Sequence, residues 1–276
     1  IRDHVDGYRD VLARCLRLIG DPAIRYREDP VRLLRAIRFH VKLDLTMEPA
    51  TAGPIVAMAH LLEDIPPARL FDEILKLFMA GHAWHTYQAL ARHALWPQLF
   101  PQLFEDPAHP PRLVEDALKS TDQRIADGLP VTPGFLFAAF LWRRVRAAAE
   151  VMIEQGMPPV DALAAAGEEV LADQAKKVAL HRRFSTIAKE IWCMQPRFRK
   201  RRGKRALRLI NERRFRAAYD FLLLRVAEEP ELGDLAQWWT EIQSVSGEDR
   251  ASMIQSAPGG ARRARRPKRR RPASSQ

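Results

Sequence analysis

Between Arg25 and Phe39 the chain reads Arg-Tyr-Arg-Glu-Asp-Pro-Val-Arg-Leu-Leu-Arg-Ala-Ile-Arg-Phe, which sets five arginines and two adjacent carboxylates in fifteen residues. Arginine offers planar, forked donors that suit a phosphate or the edge of a base. A carboxylate beside it can accept from an exocyclic amine while the guanidinium donates to a ring acceptor. Asp29 and Arg32, flanked by Glu28, Arg35 and Arg38, are therefore candidates to read one nucleobase. The competing reading is structural: Asp29 caps a helix, Glu28 pairs with a nearby arginine, and the other arginines form a solvated face.

These side chains need a helix to hold them. Asp29 precedes Pro30, and proline suits the first helical position because its missing N–H would have gone unpaired there. From Pro30 to Leu43, Leu33, Leu34 and Ile37 recur on one side and Arg32, Arg35 and Arg38 on another. The same periodicity predicts helices over 8–19, 51–62, 68–79 and 84–95, with a break at 64–67. A polar, proline-rich connector at 105–111 separates these from predicted helices at 112–127, 133–154, 159–172, 180–193, 203–211, 214–227 and 231–243. Alternating strands with hairpin turns are not evident, so the expected class is all-α, an irregular multi-helix bundle.

The net charge of +11 is concentrated. Residues 197–216 carry +10 and residues 258–276 carry +8, which leaves −7 for the rest of the chain. Concentrated basic blocks are the footprint of a polyanion partner. In the first block Arg199, Lys200, Arg201, Arg202, Lys204 and Arg205 surround Gly203, the expected turn. RNA backbone contact is the functional reading there, and a solvated face the plain one. The second block, with Arg265, Arg266, Lys268, Arg269, Arg270 and Arg271, has no apolar period. It is expected to be disordered and to neutralise phosphates without reading sequence.

Other signals are weaker. His82 and His85 share a helix face but have no third ligand nearby, so neither a metal nor a catalytic residue is assigned within the chain. Trp238 and Trp239 suit a core and its rim better than a base-stacking platform. Cys15 and Cys193 are far apart and fit a reducing, cytoplasmic setting. The apolar run from Phe135 to Trp142 is too short to span a membrane, and no membrane partner is expected.

Gly7-Tyr-Arg-Asp10, Arg17-Leu-Ile-Gly-Asp-Pro22, the run Arg27 to Phe39, and Arg69-Leu-Phe-Asp-Glu73 together resemble the neck of the bacterial poly(A) polymerase and tRNA nucleotidyltransferase family. The resemblance implies that Asp29 and Arg32 contact the base of ATP, with Arg35 a neighbour of that contact. Gln195 to Ile210, Arg214 to Arg225 and Trp238 to Gln243 look like the body of the bacterial poly(A) polymerases. On that likeness residues 1–104 would be the neck domain, 112–245 an RNA-binding helical body, and 246–276 a disordered arginine-rich tail. The implied parent adds AMP from ATP to RNA 3′ ends, in mRNA polyadenylation and RNA decay. The family's Gly-Ser loop and Asp-x-Asp metal ligands belong to a catalytic head and do not appear here. The chain is thus expected to be a fragment without the head, inactive alone, with Mg2+ held in the head and none by this chain. The alternatives are a CCA-adding tRNA nucleotidyltransferase, which shares the neck, and a non-catalytic helical RNA-binding protein.

Overall fold

The computed structural model describes residues 3–101 and 106–257, and the elements follow from local chemistry with three departures from expectation. The first is at the start. The predicted helix over 8–19 ends early, as α1 Gly7–Leu12, because Arg14 turns into the left-handed region at φ 50°. The chain then leaves as β1 Cys15–Leu16, which pairs in parallel with β2 Thr46–Met47, Cys15 opposite Thr46 and Leu16 opposite Met47. Arg14 holds the turn by donating to the carbonyls of Leu43 at 2.6 Å and Asp44 at 2.7 Å. Val11 and Leu12, at the end of α1, are exposed as a result.

Asp21 accepts from the Ile24 N–H at 2.9 Å and Pro22 takes the first helical position, which starts α2 Pro22–Glu28. Next comes α3 Val31–Lys42, the predicted motif helix, burying Val31, Leu33, Leu34, Ala36 and Ile37. The second departure is the predicted helix over 51–62. It is divided into α4 Pro49–Ala52, α5 Pro54–Met58 and a 3-10 segment Ala59–Asp64, since Pro54 has no N–H to continue the ladder. Three further helices are α6 Pro67–Phe78, α7 Ala83–Arg92 and the short α8 Trp96–Leu99.

Beyond the connector lie α9 Arg112–Ala126, α10 Pro133–Glu154, α11 Pro159–Ala175 and α12 Arg182–Met194. They are followed by α13 Lys204–Ile210, α14 Phe215–Arg225 and α15 Gly233–Ser244. The third departure is α16 Gly247–Ser256, which occupies part of the segment expected to be disordered. Ile254 is buried against the α14–α15 core with Met253 packed beside it, so this stretch has an apolar side to bury. Residues 258–276 lie outside the described residues.

The main core runs from Tyr26 to Phe221 and draws on both sides of the 105–111 connector. Its centre is aromatic: Trp96 stacks on Phe100 at 4.5 Å and meets Phe140 edge-on at 5.2 Å. A smaller core gathers Phe198, Phe215, Tyr219 and Trp239. Trp239 is fully buried and donates to the Phe198 carbonyl at 2.9 Å, and Trp238 lies on the rim against it.

Candidate nucleotide pocket and nucleic-acid surface

Asp29 sits in an extended conformation at the junction of α2 and α3. Its N–H donates to the Arg25 carbonyl and closes α2 as its C-cap, while Oδ1 accepts the Val31 N–H at 3.3 Å; Pro30, expected at the first helical position, stands instead at the N-cap of α3. The carboxylate has two cationic partners. Arg69 Nη2, from α6, donates to Oδ1 at 2.9 Å and to Oδ2 at 3.0 Å. Arg35 Nη1 lies 3.6 Å from Oδ2.

Glu28 and Arg32 form a separate cluster. Glu28 Oε2 accepts from Arg25 Nη1 and, at 3.0 Å, from Arg32 Nη1, which also donates to the Arg25 carbonyl at 2.8 Å. The local Glu28 pairing of the structural reading is thus present. Arg38 belongs to a third group: its Nε lies 2.7 Å from Oε1 of the buried Glu73, whose other oxygen accepts from Lys76 at 3.1 Å.

The helix therefore sorts its polar side chains. Arg32 and Arg35 line a cavity of about 200 Å³ together with Leu16, Leu18, Arg17, Ala36, Phe39 and Thr51. Asp29, Glu28 and Arg38 are not among its lining residues. Leu16 at the end of β1, with Arg17 and Leu18 after it, builds another wall, and the Thr51 hydroxyl, which accepts from the Leu18 N–H at 3.0 Å, pins it. Tyr26 donates to the Thr51 carbonyl at 2.9 Å, and burial pushes its phenol up to about 12, so it is a neutral strut. Two guanidinium forks beside an aromatic edge can bind an anionic, planar ligand.

Sequence reasoning placed Arg69 in a neighbouring element without assigning it to the site. No local pattern pairs it with a carboxylate forty residues away; only the packing of α6 against α3 does so. Arg17, Phe39 and Thr51 were missed for the same reason. Among the described residues no three of His, Cys, Asp and Glu gather in one place, and no step is assigned to a metal here.

The basic segment divides into paired and unpaired cations. Arg197 makes a two-pronged pair with Glu212, Arg214 bonds Glu190 at 2.8 Å and Arg216 bonds Asp220. Arg199, Lys200, Arg202, Lys204 and Arg205 are exposed and have no ion-pair partner among the described residues. Arg201 is half-buried, its guanidinium 5.9 Å above the Trp238 ring. Gly203, at φ 69°, makes the expected turn into α13. Arg202 ties the turn to α16 through the Gln255 carbonyl at 3.1 Å. The candidates Arg265, Arg266, Lys268, Arg269, Arg270 and Arg271 lie outside the described residues.

Two family models match the chain: "Polymerase A arginine-rich C-terminus" over residues 155–273, and "Probable RNA and SrmB-binding site of polymerase A" over residues 44–106. The chain is 43% identical, over 99% of its length, to the Poly(A) polymerase I of Escherichia coli O6:H1, of which it covers 61%. It is 44% identical, over 92% of its length, to the Poly(A) polymerase I of Haemophilus influenzae, of which it covers 58%. It thus spans about three fifths of the length of these curated relatives. The CCA-adding enzyme of Streptococcus suis is 45% identical over 29% of the chain, which covers 20% of that enzyme. Among solved structures, a chain of "Structure of tRNA-processing enzyme complex 3" matches 91% of this chain and 66% of its own length at a TM-score of 0.58 and 14% identity, a likeness of fold.

Proposed function

The chain belongs to the bacterial poly(A) polymerase family, and from that premise we propose that it serves the addition of AMP units from ATP to RNA 3′ ends. Its part is to select the base through Asp29 and Arg32 and to hold the RNA with the cations of 199–205. This is work of the cytoplasm, in keeping with the unbridged Cys15 and Cys193. The head that would supply Mg2+ is a feature of the parent in this reading.

The observation that carries the base-reading role is the hydrogen-bond inventory of the two residues. A carboxylate has about four lone-pair sites and a guanidinium has five N–H donors. Asp29 uses its oxygens for Arg69 and Val31, and Oδ2, which accepts one hydrogen bond from Arg69 and has Arg35 at 3.6 Å, has a second lone-pair site for an exocyclic amine. Arg32 commits only Nη1, and its Nε and Nη2 have no hydrogen bond among the described residues. An adenine presenting its amine and a ring nitrogen would match what remains. Arg69 then acts as a positioning residue that fixes the carboxylate.

Coverage favours polyadenylation over CCA addition, since poly(A) polymerases align along 99% of the chain and the Streptococcus suis enzyme along 29%. The test is to incubate the full-length parent with labelled ATP and labelled CTP, on tRNA and on an unstructured RNA. Runs of AMP on the unstructured RNA are expected. Incorporation of C at tRNA ends would refute the proposal in favour of the CCA-adding alternative.

A further inference from the structure

A second cavity, of about 210 Å³, opens between α9, the loop that follows it, the start of α10 and the beginning of α14. It shares no lining residue with the cavity at Arg32 and Arg35. Four arginines reach it: Arg124, Arg213, Arg214 and Arg216. Asp220 is the one carboxylate of its lining, and it is paired with Arg216 at 2.9 Å. Arg214 is answered by Glu190 from outside the cavity at 2.8 Å. Arg213 is exposed and has no ion-pair partner among the described residues. Arg124 spends its guanidinium on the Pro130 carbonyl, at 3.1 and 3.3 Å, and so fixes the loop that forms one wall.

Like charges gathered around one hollow repel one another, and an anionic ligand relieves that cost. The hollow is not only cationic. Phe135, Pro130, Val131 and Ala217 give it an apolar side, and Phe135 is half-buried with its ring braced edge-on against Phe221 at 6.1 Å. A volume near 210 Å³ lies below the ~300 Å³ at which pockets begin to hold drug-sized ligands. It suits one planar group whose charge stays at the mouth. Cations tracking a backbone beside an aromatic face are how single-stranded nucleic acid is held without sequence preference.

We propose that this cavity takes one unstacked base of single-stranded RNA against Phe135, with the adjoining phosphate on Arg213. The proposal rests on the RNA-binding part of the function above and adds a defined subsite to it. In sequence the cavity's Arg213, Arg214 and Arg216 close the basic segment that holds Arg199–Arg205.

The test uses the 276-residue chain, a fluorescein-labelled oligoadenylate and the same oligonucleotide with abasic sites, read by anisotropy. Phe135→Leu is expected to weaken oligoadenylate binding by about five- to a hundredfold, the range for losing one base contact, and Arg213→Ala to weaken it while flattening the salt slope by about 0.7, the value for one phosphate contact. Phe135→Leu should leave abasic binding unchanged, and thermal melting of both variants verifies that they fold. The cavity proposal is overturned if Arg213→Ala loses no more than the surface control Arg208→Ala. It is equally overturned if Phe135→Leu binds the two oligonucleotides as the unaltered chain does, or if polyglutamate displaces the RNA and is itself weakened by Phe135→Leu, which would mark a site for acidic peptide. Should the unaltered chain bind no oligoadenylate, the RNA-binding reading falls together with the cavity.

Discussion

The pair Asp29 and Arg32 shows how a side chain can be engaged and still be available. Asp29 is bound by Arg69 and Val31, Arg32 by Glu28 and the Arg25 carbonyl, and each keeps unused hydrogen-bonding capacity. Replacing Arg32 by Ala in the full-length parent should therefore raise KM for ATP and blur the choice between ATP and CTP, leaving RNA affinity near its original value. The expected loss is about 1–3 kcal/mol of discrimination, the worth of one bidentate base contact. Parallel loss for every nucleotide and for RNA would refute the role. Arg69→Ala should have the same signature, and the double variant with Asp29→Ala should be clearly non-additive, since the two residues act as one unit. The α3 half of this candidate site is legible in the sequence because Asp29, Arg32 and Arg35 lie within one helical turn or two. Arg69 and Thr51 were illegible because their approach depends on how α6 and the α4 segment pack, which no local spacing encodes.

At the scale of elements, α3 and α6 are joined by the buried Glu73, which Arg38 and Lys76 contact. Removing one partner of a buried pair strands the other charge in a poor solvent. Arg38→Ala leaves Glu73 with Lys76 alone and is expected to lower unfolding free energy by about 1–3 kcal/mol in urea melts, while Arg38→Met with Glu73→Leu should recover much of it. A second contact is steric. A Cβ at Gly134 would lie 2.8 Å from both Ile187 Cβ and the Phe184 carbonyl oxygen, so Gly134→Ala must push α10 from α12. The cost should be about 1–3 kcal/mol by chemical denaturation, as for other overpacked sites. Long, periodic helices such as α9 and α10 were readable to within a residue or two, because their burial stripe is repeated over several turns. Short elements were not. The helix expected over 8–19 failed at Arg14, whose left-handed turn is set by carbonyls of the loop after α3. Likewise α16 has few apolar residues and acquires its stability from a core built elsewhere.

At the scale of the whole molecule, Glu229 ties the end of α14 to α10 through Arg225 and Arg146, and charge is unevenly divided along the chain. Burial pushes the Glu229 carboxyl up, but the hydrogen bond and charge of Arg225 at 2.6 Å and of Arg146 at 3.2 Å outweigh it, so its pKa lies below the ordinary value. A depressed carboxylate adds stability above its ordinary pKa and loses it as pH falls through the lowered value. Glu229→Gln should thus cost stability at neutral pH, and the difference from the unaltered chain should shrink in acid, as urea titrations across pH would show. Charge sets the final prediction. Residues 258–276 carry eight cations and no acids, whereas the turn at 199–205 carries six on a folded surface. Each phosphate neutralised on a single strand contributes about 0.7 to the slope of log affinity against log salt. Deleting 258–276 should therefore weaken RNA binding and flatten that slope by up to about 5.6, the value for eight contacts. Neutralising Arg199, Lys200, Arg202, Lys204 and Arg205 should flatten it by up to about 3.5. An unchanged slope in the truncated chain would remove the C-terminal cations from RNA binding and leave the folded surface to carry it.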